Sequence, residues 1–355
     1  MKHHLKCLGV RVNRFIFLAI FIIVAISNLA FAETLKSLPE PTGPYQVGIS
    51  KYDLSDKHRK ELKYPNGRLI PVQIYFPMEK GKHTLHPKIF EERTQGKWKP
   101  LDVEVYGQKA DLSSLIAGKH PVIFLLHGNT VAMTDYASIA EDLASNGYIV
   151  VAIQHQLNTD SDEPKFWNER SISKYGNVID NTLYVFEWLK DNQENLFNNK
   201  INLNRIGFIG HSMGGNSLLL FANRASNVFK RKEHDTLLPY NNPKDVKEAI
   251  IVLDTGGFPY PYHNQYPLFL LLSEEREDYQ KKTGAYDEMI KIGHKVRYYK
   301  GSKHISFMDH GYIDPVNPFD PNQHYFNGTL EERKEFFDQI RKDIRDFLRE
   351  NGITE

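Results

Sequence analysis

The sequence predicts an α/β fold: a mostly parallel central sheet with helices on both faces. Three observations predict it. Apolar runs of strand length recur along the chain, at Pro121–Leu126, Arg205–Ile209, Ala249–Leu253, Pro267–Leu272 and Val296–Tyr299. Runs this short and this continuous suit strands covered on both faces, as parallel strands are. A stretch of helical character, Met213–Ala222, follows one of them. Glycines crowd the junction of one run with the helix after it, at Gly210, Gly214 and Gly215. With 355 residues and a hydrophobic fraction of 41%, the chain can bury a large core. A single domain of this length is common, so residues 33–355 are taken as one unit.

The junction at Gly210-His211-Ser212-Met213-Gly214 carries the most information. It fits Gly-x-Ser-x-Gly, and its context is strand, sharp turn, helix, which is the nucleophile elbow of an α/β-hydrolase. A serine on so tight a turn is forced into strained backbone angles, and its neighbours must be small. The turn lifts the hydroxyl clear of the sheet, to a helix N-terminus whose N–H groups favour negative charge.

A serine hydroxyl needs a base, and the base needs an orienting acid. In this fold they follow in the order Ser, acid, His. Ala249–Leu253 ends directly in Asp254 and two glycines, at the strand end where α/β sites form. The competing acids are Glu274, Glu275 and Asp278, after the next strand; the pattern favours Asp254 without excluding them. For the base, Val296–Lys300 runs into Gly301-Ser302-Lys303-His304, the first histidine after the last strand. His294 and His263 precede their strands, and His310 lies six residues further on. Pro121–Leu126 leads into His127-Gly128-Asn129-Thr130, where one oxyanion N–H belongs. The predicted donors are the backbone N–H groups of Asn129 and Met213, each type contributing about 3 kcal/mol to a transition state. His127 precedes that loop and is expected to be structural.

These segments together resemble the plasma-type platelet-activating factor acetylhydrolases, calcium-independent phospholipases A2 on the α/β-hydrolase fold. Thr42-Gly43-Pro44-Tyr45-Gln46-Val47-Gly48 resembles that family's opening segment and Val72–Pro77 its early strand. His127-Gly128 and Asp142 to Ala152, ending at His155, resemble its oxyanion loop, helix and next strand. Gly210 to Gly215 resembles its Gly-His-Ser-Phe-Gly-Gly. Leu253-Asp254 with Phe258-Pro259, and Gly301-Ser302-Lys303-His304 with Phe307 and Asp309, resemble its acid and base segments. The resemblance spans roughly residues 42–310 and implies a triad of Ser212, Asp254 and His304. It implies hydrolysis of short or oxidised sn-2 acyl chains of phospholipids through an acyl-enzyme, without calcium. Two departures stand out. Asn129 and Thr130 replace a bulky residue and a glycine after His-Gly. The stretch Trp98 to Lys119 is mostly polar where the plasma enzyme carries an apolar lipoprotein-docking segment. Both favour soluble or monomeric substrates over packed bilayers and leave room only for weak contact with a membrane surface.

The remaining signals bound the function. Lys2, Lys6, Arg11 and Arg14 precede an uncharged apolar stretch, Phe15–Ile26, and Ala30-Phe31-Ala32 offers a cleavage site. Residues 1–32 are therefore expected to be a signal peptide, with export to the periplasm or beyond; an N-terminal membrane anchor is the alternative. The only cysteine, Cys7, falls inside this segment, so the remainder needs no disulfide. Without residues 1–32, four of the 45 basic residues go, leaving 41 against 44 acidic ones, a balance of −3. No basic patch points to nucleic acid. No EF-hand or His-Glu-x-x-His spacing points to a metal, and no cofactor motif appears. Pro315, Pro318 and Pro321 predict an irregular loop. Thr329-Leu330-Glu331-Glu332 predicts a capping box opening a last helix, whose stripe of Phe336, Phe337, Ile340, Ile344, Phe347 and Leu348 is expected to pack in the core before Asn351-Gly352 ends it. Two other classes stay open: a cutinase-like or polyester-cleaving esterase, which would place its acid after the later strand, and an inactive hydrolase-fold binding protein.

Overall fold

The computed structural model describes residues 35–60, 64–87, 103–156, 174–227, 237–238, 243–256, 266–314, 316–317 and 320–354. The expected signal peptide, Cys7, Phe258, Pro259, His263, Pro315, Pro318 and residues 98–102 of the stretch from Trp98 to Lys119 lie outside these residues.

A nine-stranded sheet organises the chain. Its strands are β1 (Tyr45–Asp56), β2 (Arg68–Lys80), β5 (Gly107–Lys109), β6 (His120–Leu126), β7 (Ile149–Ile153), β8 (Ile201–His211), β9 (Lys247–Leu253), β10 (Leu268–Ser273) and β11 (Lys295–Tyr299). Their spatial order is β11-β10-β9-β8-β6-β7-β2-β1-β5. The two-residue strands β3 (His86–Pro87) and β4 (Glu104–Val105) pair separately. From β7 to β11 every neighbouring pair is parallel; β2 runs antiparallel to both β1 and β7. The helices are α1 (Ala137–Ser145), α2 (Lys174–Asp191), α3 (Met213–Asn227), α4 (Glu274–Thr283), α5 (Asp287–Lys291), α6 (Asp309–Ile313) and α7 (Leu330–Glu350).

The central strands are apolar throughout because both of their faces are covered. Alternate residues leave for opposite cores. Ile123, Leu125, Val150, Ala152, Ile209, Ile251 and Leu253 pack with α1 and α7. Val122, Phe124, Leu126, Val151, Phe208, Ile250 and Val252 pack with Val178, Val185 and Leu189 of α2 and Leu218 and Leu219 of α3. This is the two-sided α/β arrangement the sequence predicts.

The last helix forms as expected. Thr329 Oγ1 accepts from the Glu332 N–H at 3.2 Å, and Glu332 Oε2 accepts from the Thr329 N–H at 2.8 Å. The predicted stripe from Phe336 to Leu348 is buried against the sheet, so it is a core face. Gly352 takes φ +73° just past its end. The proline-marked loop differs from expectation. A short antiparallel pair forms there, β12 (Val316–Asn317) with β13 (Asp320–His324). No described helix is long and apolar enough to cross a membrane.

Candidate active site

Parallel strands bring their C-terminal ends to one edge of the sheet, and the predicted residues collect there. Asn129 follows β6, Ser212 follows β8, Asp254 follows β9, and His304 lies five residues past the end of β11.

Ser212 occupies the turn between β8 and α3 with φ +52°, a left-handed backbone that a non-glycine residue adopts only when its surroundings impose it. The surroundings do so here. The Ser212 N–H donates to Leu253 O at 3.0 Å, and Ser212 O accepts from the Asn216 N–H at 2.8 Å. Glycine at 210 lets the strand pass under the helix, since a Cβ there would stand 2.6 Å from the Gly214 carbonyl carbon.

His304 joins the serine to the acid. Its Nε2 lies 2.9 Å from Ser212 Oγ and its Nδ1 lies 2.7 Å from Asp254 Oδ2. The acceptor at Nδ1 is a carboxylate, so Nδ1 carries the proton and Nε2 is left to accept from the serine hydroxyl. The His304 side chain is 34% exposed while that of Asp254 is fully buried. One end of the triad therefore faces solvent and the other is sealed.

Asp254 also has a left-handed backbone, φ +42°. Its Oδ1 accepts from the Ser273 N–H at 2.6 Å, and Arg276 Nε stands 3.4 Å from Oδ2. Burial opposes the charge on this carboxylate, but hydrogen bonds from His304 and Ser273 outweigh it and hold the carboxyl below its usual range. The turn behind it is braced by Tyr286, whose hydroxyl donates to Thr255 O at 2.6 Å, and by a Thr255 hydroxyl bond to Asn216 Oδ1. Arg276, Tyr286 and Asn216 escaped the sequence reading. None sits in a motif, and their roles arise only from the way α3, α4 and α5 pack around β9.

The competing acids lie elsewhere. Glu274 Oε2 accepts from the Gly301 N–H at 3.1 Å and so pins the turn before His304, away from its ring. Glu275 and Asp278 are exposed on α4. Among the other histidines, His310 is buried with Nε2 3.6 Å from Asp135 Oδ1, and His294 lies before β11. His127 is buried and structural: its Nδ1 donates to Gly128 O at 2.6 Å and its Nε2 accepts from the His155 N–H at 2.8 Å.

Met213 begins α3, where a first-turn N–H has no carbonyl partner within its own helix. Asn129 lies in the exposed turn after β6. A Cβ on Gly128 would stand 3.0 Å from His211 Nδ1 and 3.3 Å from Ser212 Cβ, so the loop after β6 rests directly on the nucleophile turn. Asp309, past His304 on the same segment, accepts from the Ala137 and Ser138 N–H groups at 2.8 and 3.1 Å and caps α1. Among the described residues no group of three His, Cys, Asp or Glu side chains is arranged to hold a metal ion.

The chain is similar to several known proteins. The family model described as platelet-activating factor acetylhydrolase, isoform II, matches residues 30–169, and the chlorophyllase model matches residues 108–232. A protein of Arthroderma benhamiae named a probable 1-alkyl-2-acetylglycerophosphocholine esterase is 28% identical over 239 residues, 56% of this chain and 59% of that one. Chlorophyllase-1, chloroplastic, of Citrus unshiu is 35% identical over 100 residues, 28% of this chain and 27% of that one. The chain thus spans less than two thirds of the length of these relatives. A ferulic acid esterase from Streptomyces cinnamoneus superposes with a TM-score of 0.66 over 89% of this chain and 93% of that one, at 18% identity. Sheet order and elbow agree with these matches: the chain has the α/β-hydrolase fold, and over residues 30–169 its sequence resembles the platelet-activating factor acetylhydrolases.

Proposed function

We propose that this chain is a serine esterase that cleaves carboxylic esters through an acyl-enzyme. The observation that carries the proposal is the pair of bonds on His304, 2.9 Å to Ser212 Oγ and 2.7 Å to Asp254 Oδ2. Ser212 Oγ attacks the ester carbonyl while His304 Nε2 takes its proton. Asp254 keeps the ring in one tautomer and stabilises the imidazolium. The oxyanion of the tetrahedral intermediate is received by the Asn129 and Met213 N–H groups. Collapse breaks the bond to the alcohol, which leaves with the proton from His304. Water then repeats the sequence and releases the acid, restoring Ser212. Backbone donors and an imidazole supply every proton and charge in this route, so it requires no metal.

For the substrate, we propose phospholipids with short or oxidised sn-2 acyl chains. Supporting this are the family model over residues 30–169 and the Arthroderma relative's name. The polar stretch before β6 supports monomeric substrate over packed bilayers. The place of the acid, after β9 and in contact with His304, favours this reading over the cutinase-like one. Export after cleavage before Glu33 belongs to the same proposal, on the N-terminal pattern of charge, apolar run and Ala-x-Ala.

Ser212→Ala and His304→Ala should each lower turnover of p-nitrophenyl acetate by about 10⁴-fold or more, because the triad acts as a unit. Both variants should stay folded by circular dichroism. Retained turnover in folded Ser212→Ala sinks the mechanism. Hydrolysis of acetyl against palmitoyl sn-2 phospholipids, with and without EDTA, tests the substrate; a palmitoyl preference or loss in EDTA overturns it.

A further inference from the structure

We propose that Tyr136 is a positioning residue for the oxyanion loop, its hydroxyl tying the Gly128 N–H to the His211 ring and through that ring to the main chain of His304. The inference rests on the esterase reading above and adds to it a group outside the triad.

Three bonds form the tie. The Gly128 N–H donates to Tyr136 Oη at 3.1 Å, Tyr136 Oη lies 2.8 Å from His211 Nδ1, and His211 Nε2 lies 3.0 Å from His304 O. The two ends set the direction of every proton between them. A peptide N–H only donates and a carbonyl only accepts, so His211 must carry its hydrogen on Nε2. Its Nδ1 lone pair then receives the tyrosine hydroxyl, whose oxygen receives the Gly128 N–H. This direction of donors belongs to a neutral His211, whose Nδ1 bears no hydrogen. Burial beside His304 pushes this imidazole down to about 3, so it stays neutral wherever an esterase of this type works.

The tie spans three elements that must keep their spacing for catalysis. Gly128 precedes Asn129, the expected donor. His211 precedes Ser212. His304 is the expected base. Tyr136 is itself fixed. It is fully buried, its ring centroid is 5.7 Å from that of His211, and it ends the short 3-10 turn Met133–Tyr136 before α1. That turn is held by Gln154, whose Oε1 accepts from the Met133 N–H at 3.0 Å, and by Asp309 at the start of α1. The loop it restrains needs restraint. Asn129 is exposed, and Thr130 sits at φ +62°. Donors contribute most when they are aimed before the charge develops. Tyr136 is therefore set to aim a peptide that would otherwise move.

Tyr136→Phe removes the hydroxyl and keeps the ring. It should lower kcat for p-nitrophenyl acetate by about 10- to 100-fold, less than the loss of a whole oxyanion donor. KM should stay within about threefold. The inhibition constant of a trifluoromethyl ketone, whose adduct carries the oxyanion, should rise by the same factor as kcat falls. His211→Gln breaks the same tie from the other side and serves if Tyr136→Phe does not fold. The double variant should lose no more than the worse single one, since both changes open one chain. Unchanged kcat in folded Tyr136→Phe overturns the proposal. So does a fall in melting temperature with ketone affinity intact, which marks a merely structural tyrosine. Wild-type protein that neither turns over the ester nor labels with a fluorophosphonate overturns the esterase reading itself; active wild type with a normal Tyr136→Phe overturns this inference alone.

Discussion

Asp254 shows how one side chain is made fit for a single task. Its carboxylate is fully buried, yet donors from Ser273, His304 and Arg276 converge on it, so the charge is retained in a place that would otherwise expel it. Its left-handed backbone turns the side chain back toward His304 at the point where β9 ends. Asp254→Asn keeps the shape but offers His304 Nδ1 an amide in place of a carboxylate. If Asp254 is the acid of the proposed triad, the variant should lose about 10⁴-fold in kcat, the order seen when a triad carboxylate becomes an amide. Glu275→Gln and Asp278→Asn, exposed on α4, should stay within about twofold. Glu274→Gln should fall between them, because it loosens only the turn at Gly301. Steady-state kinetics of the four folded variants decide it, and near-normal Asp254→Asn with collapse of Glu275→Gln would transfer the acid role to α4.

At the scale of elements, the decisive unit is β8, the elbow and α3. The helix can start directly after the strand because Gly210, Gly214 and Gly215 allow backbone to pass against backbone. A Cβ at Gly214 would collide with the carbonyl of Leu126 at the end of β6, and that atom belongs to a central strand that cannot move aside. Gly214→Ala should therefore cost about 2 kcal/mol through overpacking, read as a melting temperature several degrees lower. It should also reduce turnover, since relief of the clash pushes the elbow away from the loop at Gly128. An unshifted melting temperature would show that the junction has slack.

At the scale of the molecule, the two cores bury histidines that have no room for charge. His155 is fully buried, and burial followed by repulsion from His127 and Arg68 holds its pKa well below 6.5; His211 is held at about 3. Each titrates near 6.5 when the chain unfolds. Below that pH the unfolded chain binds protons that the folded one refuses. The stability these groups contribute is thus complete above about 6.5 and is lost as pH falls toward the folded values. Each such histidine should cost about 1.4 kcal/mol per pH unit in that window. Asp254, with its lowered pKa, adds loss of the same sign at more acid pH. Urea unfolding at pH 7, 6 and 5 should show the decline, and His211→Asn should flatten it. A level profile would contradict the account.

The sequence by itself determined the periodic framework and the chemistry of the motifs. Five apolar runs became strands because continuous hydrophobicity over so few residues is stable only between two helical layers. The elbow was legible because glycine spacing around Ser212 records a steric demand that acts locally. The Thr329 capping box was legible for the same reason, since its partners are three residues apart. Local pattern left the acid open and the resemblance pointed to Asp254; the tertiary structure brings that carboxylate to His304. Asp254 and His304 are 50 residues apart, and only the order of β9, β10 and β11 in the sheet brings them together while α4 carries Glu275 and Asp278 into solvent. It alone revealed the Tyr136–His211 tie, which joins residues 75 apart through side chains that each look like ordinary core. Local pattern encodes what neighbours in sequence require of one another; contacts between distant residues exist only once the sheet has set its strand order.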